Sequence, residues 1–319
     1  MENRKKIYFR ADASSDIGYG HFIRTLALAD MLKDEFDCCF FTQAPSEYQQ
    51  KDVLRICKLV ALPADGAKFD LFLEYLTGDE IVVLDNYFYT TEYQQAVKDK
   101  GCKLVCIDDV HDKKYVADVV INHGCTRSDV FDVLSTTQLC LGLDWALLRA
   151  PFLTSPSRRE RDNTIVICFG GSDPLSITDK VVSILRSSNV NKQIVAIIGR
   201  STYISEENQR FCIVKSGLSA EEIKDIFDTA SLGICSASSV SIEASSRQLP
   251  ILVGYYVDNQ KEIYNSLVSA GIAYPLGDLN NISSTVLEDG LNKHSSTITI
   301  KPIFAPNIKA RYIDLFKKL

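Results

Sequence analysis

Apolar positions along this chain cluster in short, nearly continuous runs rather than in strict alternation. In the first half, Ile7–Arg10, Cys39–Thr42, Ile81–Asp85, Lys103–Ile107 and Val119–Asn122 read as strands. Such runs mark strands covered on both faces, as in a parallel sheet. Between them, apolar residues recur at helical spacing over about Phe22–Phe36, Lys68–Tyr75 and Tyr93–Lys100. The pattern breaks over Ala150–Asp162, where two prolines, serines and a run of charges read as a linker. It then restarts, with strands at Thr164–Phe169, Gln193–Ile198, Leu232–Cys235 and Ile251–Tyr255. Helices are predicted at Ile177–Ser187, Ala220–Ala230, Val240–Arg247, about Gln260–Ala270 and Asn307–Leu319. Two βα series in tandem predict an α/β protein of two doubly wound, Rossmann-like domains facing a cleft. The expected units are 1–153, 163–305 and a C-terminal helix, 306–319. In that architecture ligands bind at the carboxyl ends of the strands, so the βα loops are where chemistry is expected.

The first such loop carries Ile17-Gly18-Tyr19-Gly20-His21-Phe22-Ile23-Arg24. Gly18 and Gly20 permit a tight turn and close approach of a ligand, and the helix that follows offers free N–H groups and a favourable dipole to an anion. His21 brings the side chain that titrates near neutrality. An ordinary surface histidine in a βα loop is an equal reading of it. In the second half, Phe169-Gly170-Gly171-Ser172-Asp173-Pro174 forms another glycine turn before a helix. It lacks P-loop spacing, and Ile23 stands where the third glycine of a nicotinamide fingerprint belongs. Ser236-Ala237-Ser238-Ser239 opens a helix carrying Glu243 one turn in. This is either an ordinary serine-capped start or a site where Ser238 and Ser239 hold a diphosphate and Glu243 meets a ribose. Asp85-Asn86-Tyr87, Asp108-Asp109 and Asp258-Asn259-Gln260 also follow strands. Asp108 and Asp109 are adjacent, and a solvated loop or cap suits them better than a metal site.

Composition narrows the function. The 319 residues carry a net charge of −6 and 46% hydrophobic residues, those of a globular protein. Acidic balance argues against a dedicated nucleic-acid binder or a polybasic membrane anchor. No apolar run approaches a membrane span, and the N-terminal stretch lacks the apolar core of a signal peptide, so a cytoplasmic location is expected. Ten cysteines show no CxxC pair and no zinc-ligand spacing. They are expected reduced and mostly in the core.

Taken together, these motifs carry a resemblance. Arg10-Ala11-Asp12-Ala13-Ser14-Ser15-Asp16-Ile17-Gly18-Tyr19-Gly20-His21-Phe22-Ile23-Arg24 resembles the R-x-D-x-S-x-x-I-G-x-G-H-x-x-R signature of the UDP-sugar hydrolases of pseudaminic acid synthesis. Asp85-Asn86-Tyr87, Ile107-Asp108-Asp109, Trp145–Phe152, Phe169–Pro174 and Asp258-Asn259-Gln260 follow in that family's order. The chain departs from it at Ser236–Ser239, where relatives have a glycine-rich loop, and at Ala150-Pro151, where an acidic residue often precedes the Phe. The resemblance implies a GT-B architecture and hydrolysis of UDP-2,4-diacetamido-2,4,6-trideoxy-β-L-altropyranose to UDP and free sugar. It implies His21 as the base acting on water, with inversion, and Tyr87 and Asn259 beside the sugar. Gly18, Tyr19, Gly20, Arg24, Gly171, Ser172, Ser238, Ser239, Glu243 and Gln260 are the implied substrate contacts. Neither a cofactor nor a metal is called for, nor a nucleic acid, a membrane or an obligate protein partner. The alternative within the same fold is a glycosyltransferase passing a UDP-amino sugar to an alcohol; a non-catalytic nucleotide-sugar binder is a third reading. The polar, mixed-charge segment Gln43–Asp52 favours water as the acceptor.

Overall fold

A computed structural model describes residues 4–14, 18–156, 160–171, 173, 175–188, 190–199, 202–297 and 307–319. The chain divides into two compact units, Met1–Ala150 together with Pro306–Leu319, and Pro151–Ala305.

In chain order the first unit carries β1 (Lys6–Ala11), α1 (Gly20–Leu32), β2 (Asp37–Gln43), α2 (Glu47–Leu54), β3 (Lys58–Leu62) and α3 (Ala67–Glu74). There follow β4 (Glu80–Asp85), α4 (Thr91–Asp99), β5 (Lys103–Ile107), β6 (Lys114–Tyr115), β7 (Val119–Asn122), β8 (Asp132–Val133) and β9 (Gln138–Leu141). Seven of these strands form one parallel sheet in the order β3-β2-β1-β4-β5-β7-β9, while β6 and β8 pair separately. The second unit carries β10 (Thr164–Cys168), α5 (Ile177–Ser187), β11 (Gln193–Ile198), α6 (Glu206–Phe211), β12 (Ile213–Ser216), α7 (Ala220–Thr229) and β13 (Leu232–Ser236). It continues with α8 (Ser239–Ser246), β14 (Ile251–Tyr255), α9 (Lys261–Ser269), β15 (Ala273–Asp278) and α10 (Ser284–Thr297). Its sheet, also parallel, runs β12-β11-β10-β13-β14-β15. Both sheets thus begin 3-2-1-4-5, the doubly wound order. In each, the direction of winding reverses beside the first strand, between β1 and β4 and between β10 and β13.

The central strands β4, β7, β10 and β13 are buried at every residue, which is why they read as unbroken apolar runs. The sequence reading omits all four edge strands of the two large sheets, β3, β9, β12 and β15, and the short pair β6 and β8. Lys58–Leu62 is apolar after its first residue, yet it lies half-buried or exposed along most of its length, as does Ile213–Ser216. Nine cysteines are buried and Cys57 is half-buried, and all ten are free thiols.

The final helix, α11 (Ile308–Lys318), belongs to the first unit and packs on α1. Tyr312 is fully buried, its ring edge-on to Trp145 at 5.4 Å, and its hydroxyl donates to the Trp145 carbonyl at 2.5 Å. Phe316 is buried against Phe36, with centroids 6.3 Å apart. Much of the Trp145–Phe152 motif is therefore scaffold: Trp145 seats the last helix, and Ala146, Leu147, Leu148 and Phe152 are core. No described helix is long and apolar enough to cross a membrane.

Phe316→Ala removes a fully buried aromatic side chain from the first unit, at a cost of about 3–5 kcal/mol. Urea unfolding followed by Trp145 fluorescence should show this loss, and an unchanged midpoint would mean that α11 does not stabilise the unit.

Candidate functional site

In the first unit the candidate residues gather at the switch point, where the carboxyl ends of β1 and β4 lie side by side. The register pairs Ala11 with Asp85. Asn86 ties the two loops together: its Oδ1 accepts from the Asp12 backbone N–H at 2.7 Å, and its Nδ2 donates to the Asp12 carbonyl at 3.3 Å. Asp12 is itself fully buried. It accepts from the Arg10 guanidinium, from Lys68 at 3.0 Å and from the Gln43 backbone N–H at 2.8 Å. Burial alone raises the Asp12 carboxyl, but these donors outweigh it and hold it below its usual range. A charged lattice thus fixes the start of the loop that leads to His21.

The structure moves His21 from a turn to a helix. Gly18 takes φ +82°, a conformation that favours glycine, and Tyr19 is the helix N-cap. Gly20 opens α1, and His21 is its second residue, only 6% exposed. The expected helix start, about Phe22, moves two residues earlier, to Gly20. The chain becomes helical as soon as the left-handed Gly18 has redirected it, and Gly20 meets no atom that a Cβ would strike.

Asp85, at the end of β4, lies beneath this turn and is fully buried. His21 Nδ1 donates to Asp85 Oδ1 at 2.6 Å. Arg24, one turn along α1, donates through Nη2 to Oδ1 at 2.6 Å and through Nε to Oδ2 at 2.7 Å. Thr25 Oγ1 adds a fourth donor at 2.8 Å. Burial pushes the Asp85 carboxyl up, but Arg24 and then His21 overcome it and hold it well below the usual carboxylate range. Arg24 Nη2 also lies 3.0 Å from Nδ1, but the shorter contact is to a carboxylate, which only accepts, and this assigns the proton to Nδ1. Nε2 is left as the basic nitrogen, without a hydrogen bond among the described residues.

Arg24 continues to Asp109, donating from Nη1 to Oδ2 at 2.8 Å. Tyr87, 42% exposed, donates its hydroxyl to the same oxygen at 3.2 Å. Its ring meets His21 edge to face, at 4.5 Å and 85°. Of the adjacent aspartates, Asp108 is a cap: it accepts from Val110 N–H, His111 N–H and the Tyr115 hydroxyl. Asp109 instead joins the ion-pair network. His21, Arg24, Asn86, Tyr87 and Asp109 line a recess with a cavity volume of about 20 Å³. The described residues contain no group of three or more His, Cys, Asp and Glu able to hold a metal.

Of the remaining histidines, His123 is buried, and its Nδ1 accepts from the Leu147 backbone N–H at 3.4 Å. Burial, reinforced by the charge of Arg24, pushes it down to about 4. His111 stacks edge-on to Phe131, and His294 bonds backbone carbonyls of its own helix.

The predicted residues of the second unit gather at its own switch point. The loop after β10 carries Gly170, at φ +102°, and Gly171, whose carbonyl oxygen would lie 2.0 Å from a Cβ at Gly199. Ser172 lies outside the described residues. Across from this loop, Ser236 Oγ donates to the Phe169 carbonyl at 3.1 Å and lies 3.0 Å from Ser238 Oγ. Ser238 caps α8 and Ser239 opens it, while the Ser241 hydroxyl accepts from the Ser238 N–H at 3.2 Å. Glu243 is buried on the second turn of α8. Asn259 is half-buried in a single turn of 3-10 helix, Asp258–Gln260. Gln260 is buried, and its Oε1 accepts from the Tyr256 backbone N–H at 3.0 Å, which commits that oxygen to the loop's own structure.

Sequence reasoning passed over Asp85 and Asp109 as site residues, although it noted both at strand ends. The available signal was position: Asp85 is the last residue of β4, and Asp109 follows Asp108 directly after β5. Arg24, expected at a ligand, has its guanidinium committed to Asp85 and Asp109.

Asp85→Asn leaves Arg24 with a weakened buried partner and His21 without its charge partner, a loss of about 3–5 kcal/mol. The stability that Asp85 confers is present above the carboxylate's unfolded value and is lost as pH falls through its lowered folded value. His123 acts higher on the scale. It is neutral in the fold and protonates near 4, whereas an unfolded histidine does so near ~6.5. Between those values the unfolded chain binds the extra proton, so stability falls as pH drops from about 6.5 to 4. Urea midpoints measured across this window should fall less steeply for His123→Gln than for the unaltered chain. Equal slopes would show that His123 is not held neutral.

No protein-family model matches the chain. It is 25% identical over 285 residues to the UDP-2,4-diacetamido-2,4,6-trideoxy-beta-L-altropyranose hydrolase of Campylobacter jejuni, covering 83% of this chain and 97% of that protein. An uncharacterized protein of Methanocaldococcus jannaschii is 25% identical over 283 residues, 82% of this chain, and the chain spans 57% of that protein's length. Among solved structures, MurG of Acinetobacter baumannii matches with a TM-score of 0.65 at 12% identity, covering 99% of this chain and all of that one. A UDP-glucosyltransferase from Polygonum tinctorium matches with a TM-score of 0.61 at 10% identity, covering 99% and 93%. Along most of its length, then, the chain is similar to the named Campylobacter hydrolase, as its motifs indicate, and its two Rossmann-like domains are those of the GT-B fold.

Proposed function

We propose that this protein is an enzyme acting on UDP-sugars, and that it hydrolyses a UDP-linked diacetamido-trideoxyhexose to UDP and free sugar. The observation that carries the reading is the His21–Asp85 pair at the first switch point, with Nε2 left as the basic nitrogen. Similarity to the Campylobacter hydrolase over most of both chains supports the substrate class. In this reading neutral His21 takes a proton from water as the water oxygen attacks the anomeric carbon. The bond between that carbon and the phosphate oxygen breaks with inversion, and UDP leaves with the electron pair. Asp85 fixes the tautomer and stabilises the imidazolium that forms. Tyr87 and Asn259 contact the sugar. The diphosphate is held by Gly171, Ser172, Ser238 and Ser239, where helix N-termini take up charge as it departs, and the ribose is held by Glu243. Gly18, Tyr19 and Gly20 provide backbone contacts near His21. Arg24 acts through Asp85, and Gln260 through the loop it braces.

Incubation with UDP-2,4-diacetamido-2,4,6-trideoxy-β-L-altropyranose should release UDP without any added acceptor. A requirement for an alcohol would establish a glycosyltransferase instead, and binding without turnover a sugar-nucleotide binder. His21→Ala should lower turnover by about 10²- to 10⁴-fold with binding of UDP retained. Unchanged turnover would remove His21 from the mechanism.

A further inference from the structure

Tyr87, whose ring packs edge-on to His21 at 4.5 Å, is held at both ends. Its hydroxyl donates to Asp109 Oδ2 at 3.2 Å, and its backbone carbonyl accepts from Lys113 Nζ at 2.7 Å. Lys113 has no part in the proposed hydrolysis, yet its setting is not that of an ordinary surface lysine. Its side chain is 17% exposed, against 59% for Asp112 before it, and Lys114 after it is exposed. It lines the same recess as His21, Arg24 and Tyr87. We propose that Lys113 is a positioning residue, whose ammonium pins the Tyr87 backbone and so holds the Tyr87 ring against His21 and in place for the sugar. The part that concerns the sugar rests on the hydrolase reading above.

A lysine can hold another loop only if its own backbone is fixed, and this one is fixed on both sides. Before it, Asp108 draws the loop after β5 together, accepting from the Val110 N–H at 3.2 Å, the His111 N–H at 2.8 Å and the Tyr115 hydroxyl at 2.5 Å. After it, Thr91 Oγ1 donates to the Lys114 carbonyl at 2.7 Å, and the Val116 N–H donates to the buried Gln94 Oε1 at 3.1 Å. Thr91 and Gln94 belong to α4, the helix that follows Tyr87. The ammonium therefore closes a ring of contacts that runs from Tyr87 through the start of α4 to residues 114–116 and back. Asp112 Oδ1 lies 3.3 Å from the same ammonium, which leaves the Tyr87 carbonyl as its shorter contact. A bond from an ammonium is charge-assisted and stronger than one between neutral groups. A tyrosine tethered at its hydroxyl can still swing about that point, and a fixed carbonyl removes the swing.

Lys113→Met keeps most of the side chain's bulk and removes the donor, while Lys113→Arg restores one. The His21 ring protons lie within the ring current of Tyr87, so their NMR shifts report the contact without any substrate. These resonances, identified by their loss in His21→Ala, should move in Lys113→Met towards their positions in Tyr87→Ala, and in Lys113→Arg they should move back. The kcat/KM for UDP release should fall by about 3- to 10-fold in Lys113→Met. In a Tyr87→Ala background the same substitution should have no further effect, because Lys113 acts through Tyr87. Unmoved resonances in Lys113→Met would overturn the proposal, as would a loss of kcat/KM that persists undiminished without Tyr87. Moved resonances in a chain that releases no UDP would overturn the hydrolase reading and leave the positioning of Tyr87 standing.

Discussion

The first unit's site depends on one buried carboxylate. Asp85 has no solvent exposure and four donated hydrogen bonds, from His21, Thr25 and twice from Arg24. An isolated charge at that depth is prohibitively costly, and it is kept ionised only because the Arg24 guanidinium and the His21 ring satisfy it from the same helix face. The three donor residues occupy positions 21, 24 and 25, the i, i+3 and i+4 spacing that places side chains on one stripe of a helix. Helix α1 therefore presents its stripe to the end of β4, and the carboxylate fixes how the helix is rotated about its axis. Rotation by a single residue would break all four bonds together.

That constraint explains the layering around His21. Below the ring lie charges fully enclosed by protein, Asp85 and the Arg10–Asp12–Lys68 lattice. Above it lie Tyr87 and the half-buried Asp109, open to a recess. Rigid support beneath and access above is the arrangement that the base role proposed for His21 requires, since geometry precedes basicity in proton transfer. His123 lies in the same neighbourhood, where burial first, and then the charge of Arg24, holds its imidazole neutral. A second imidazole in the same cluster is in this way removed from acid–base work near neutral pH.

Much of the fold was legible because buried parallel strands announce themselves as apolar runs, and β4 and β10 are read directly from the sequence. The strands of the two large sheets that escaped, β3, β9, β12 and β15, are all edges. The candidate site was half legible. Glycines at 18 and 20 and the adjacent histidine have a local signal, since backbone freedom and a titratable ring are properties of single residues. Asp85 and Asp109 have only their positions at strand ends. Their roles follow from pairings 61 and 85 residues distant in sequence, from Arg24 to each, and periodicity within a window carries no information about such contacts. The same limit made His21 look like part of a turn. Only the folded start of α1 at Gly20 shows His21 as helical and facing a carboxylate.

GT-B proteins that resemble this one in fold at 10–12% identity include transferases. The choice between water and another acceptor therefore cannot reside in the sheets or their order, which those proteins share. It must reside in the few atoms at the acceptor's position. In the reading proposed above, the first unit brings His21 to that position, with the Tyr87 ring edge-on to it at 4.5 Å.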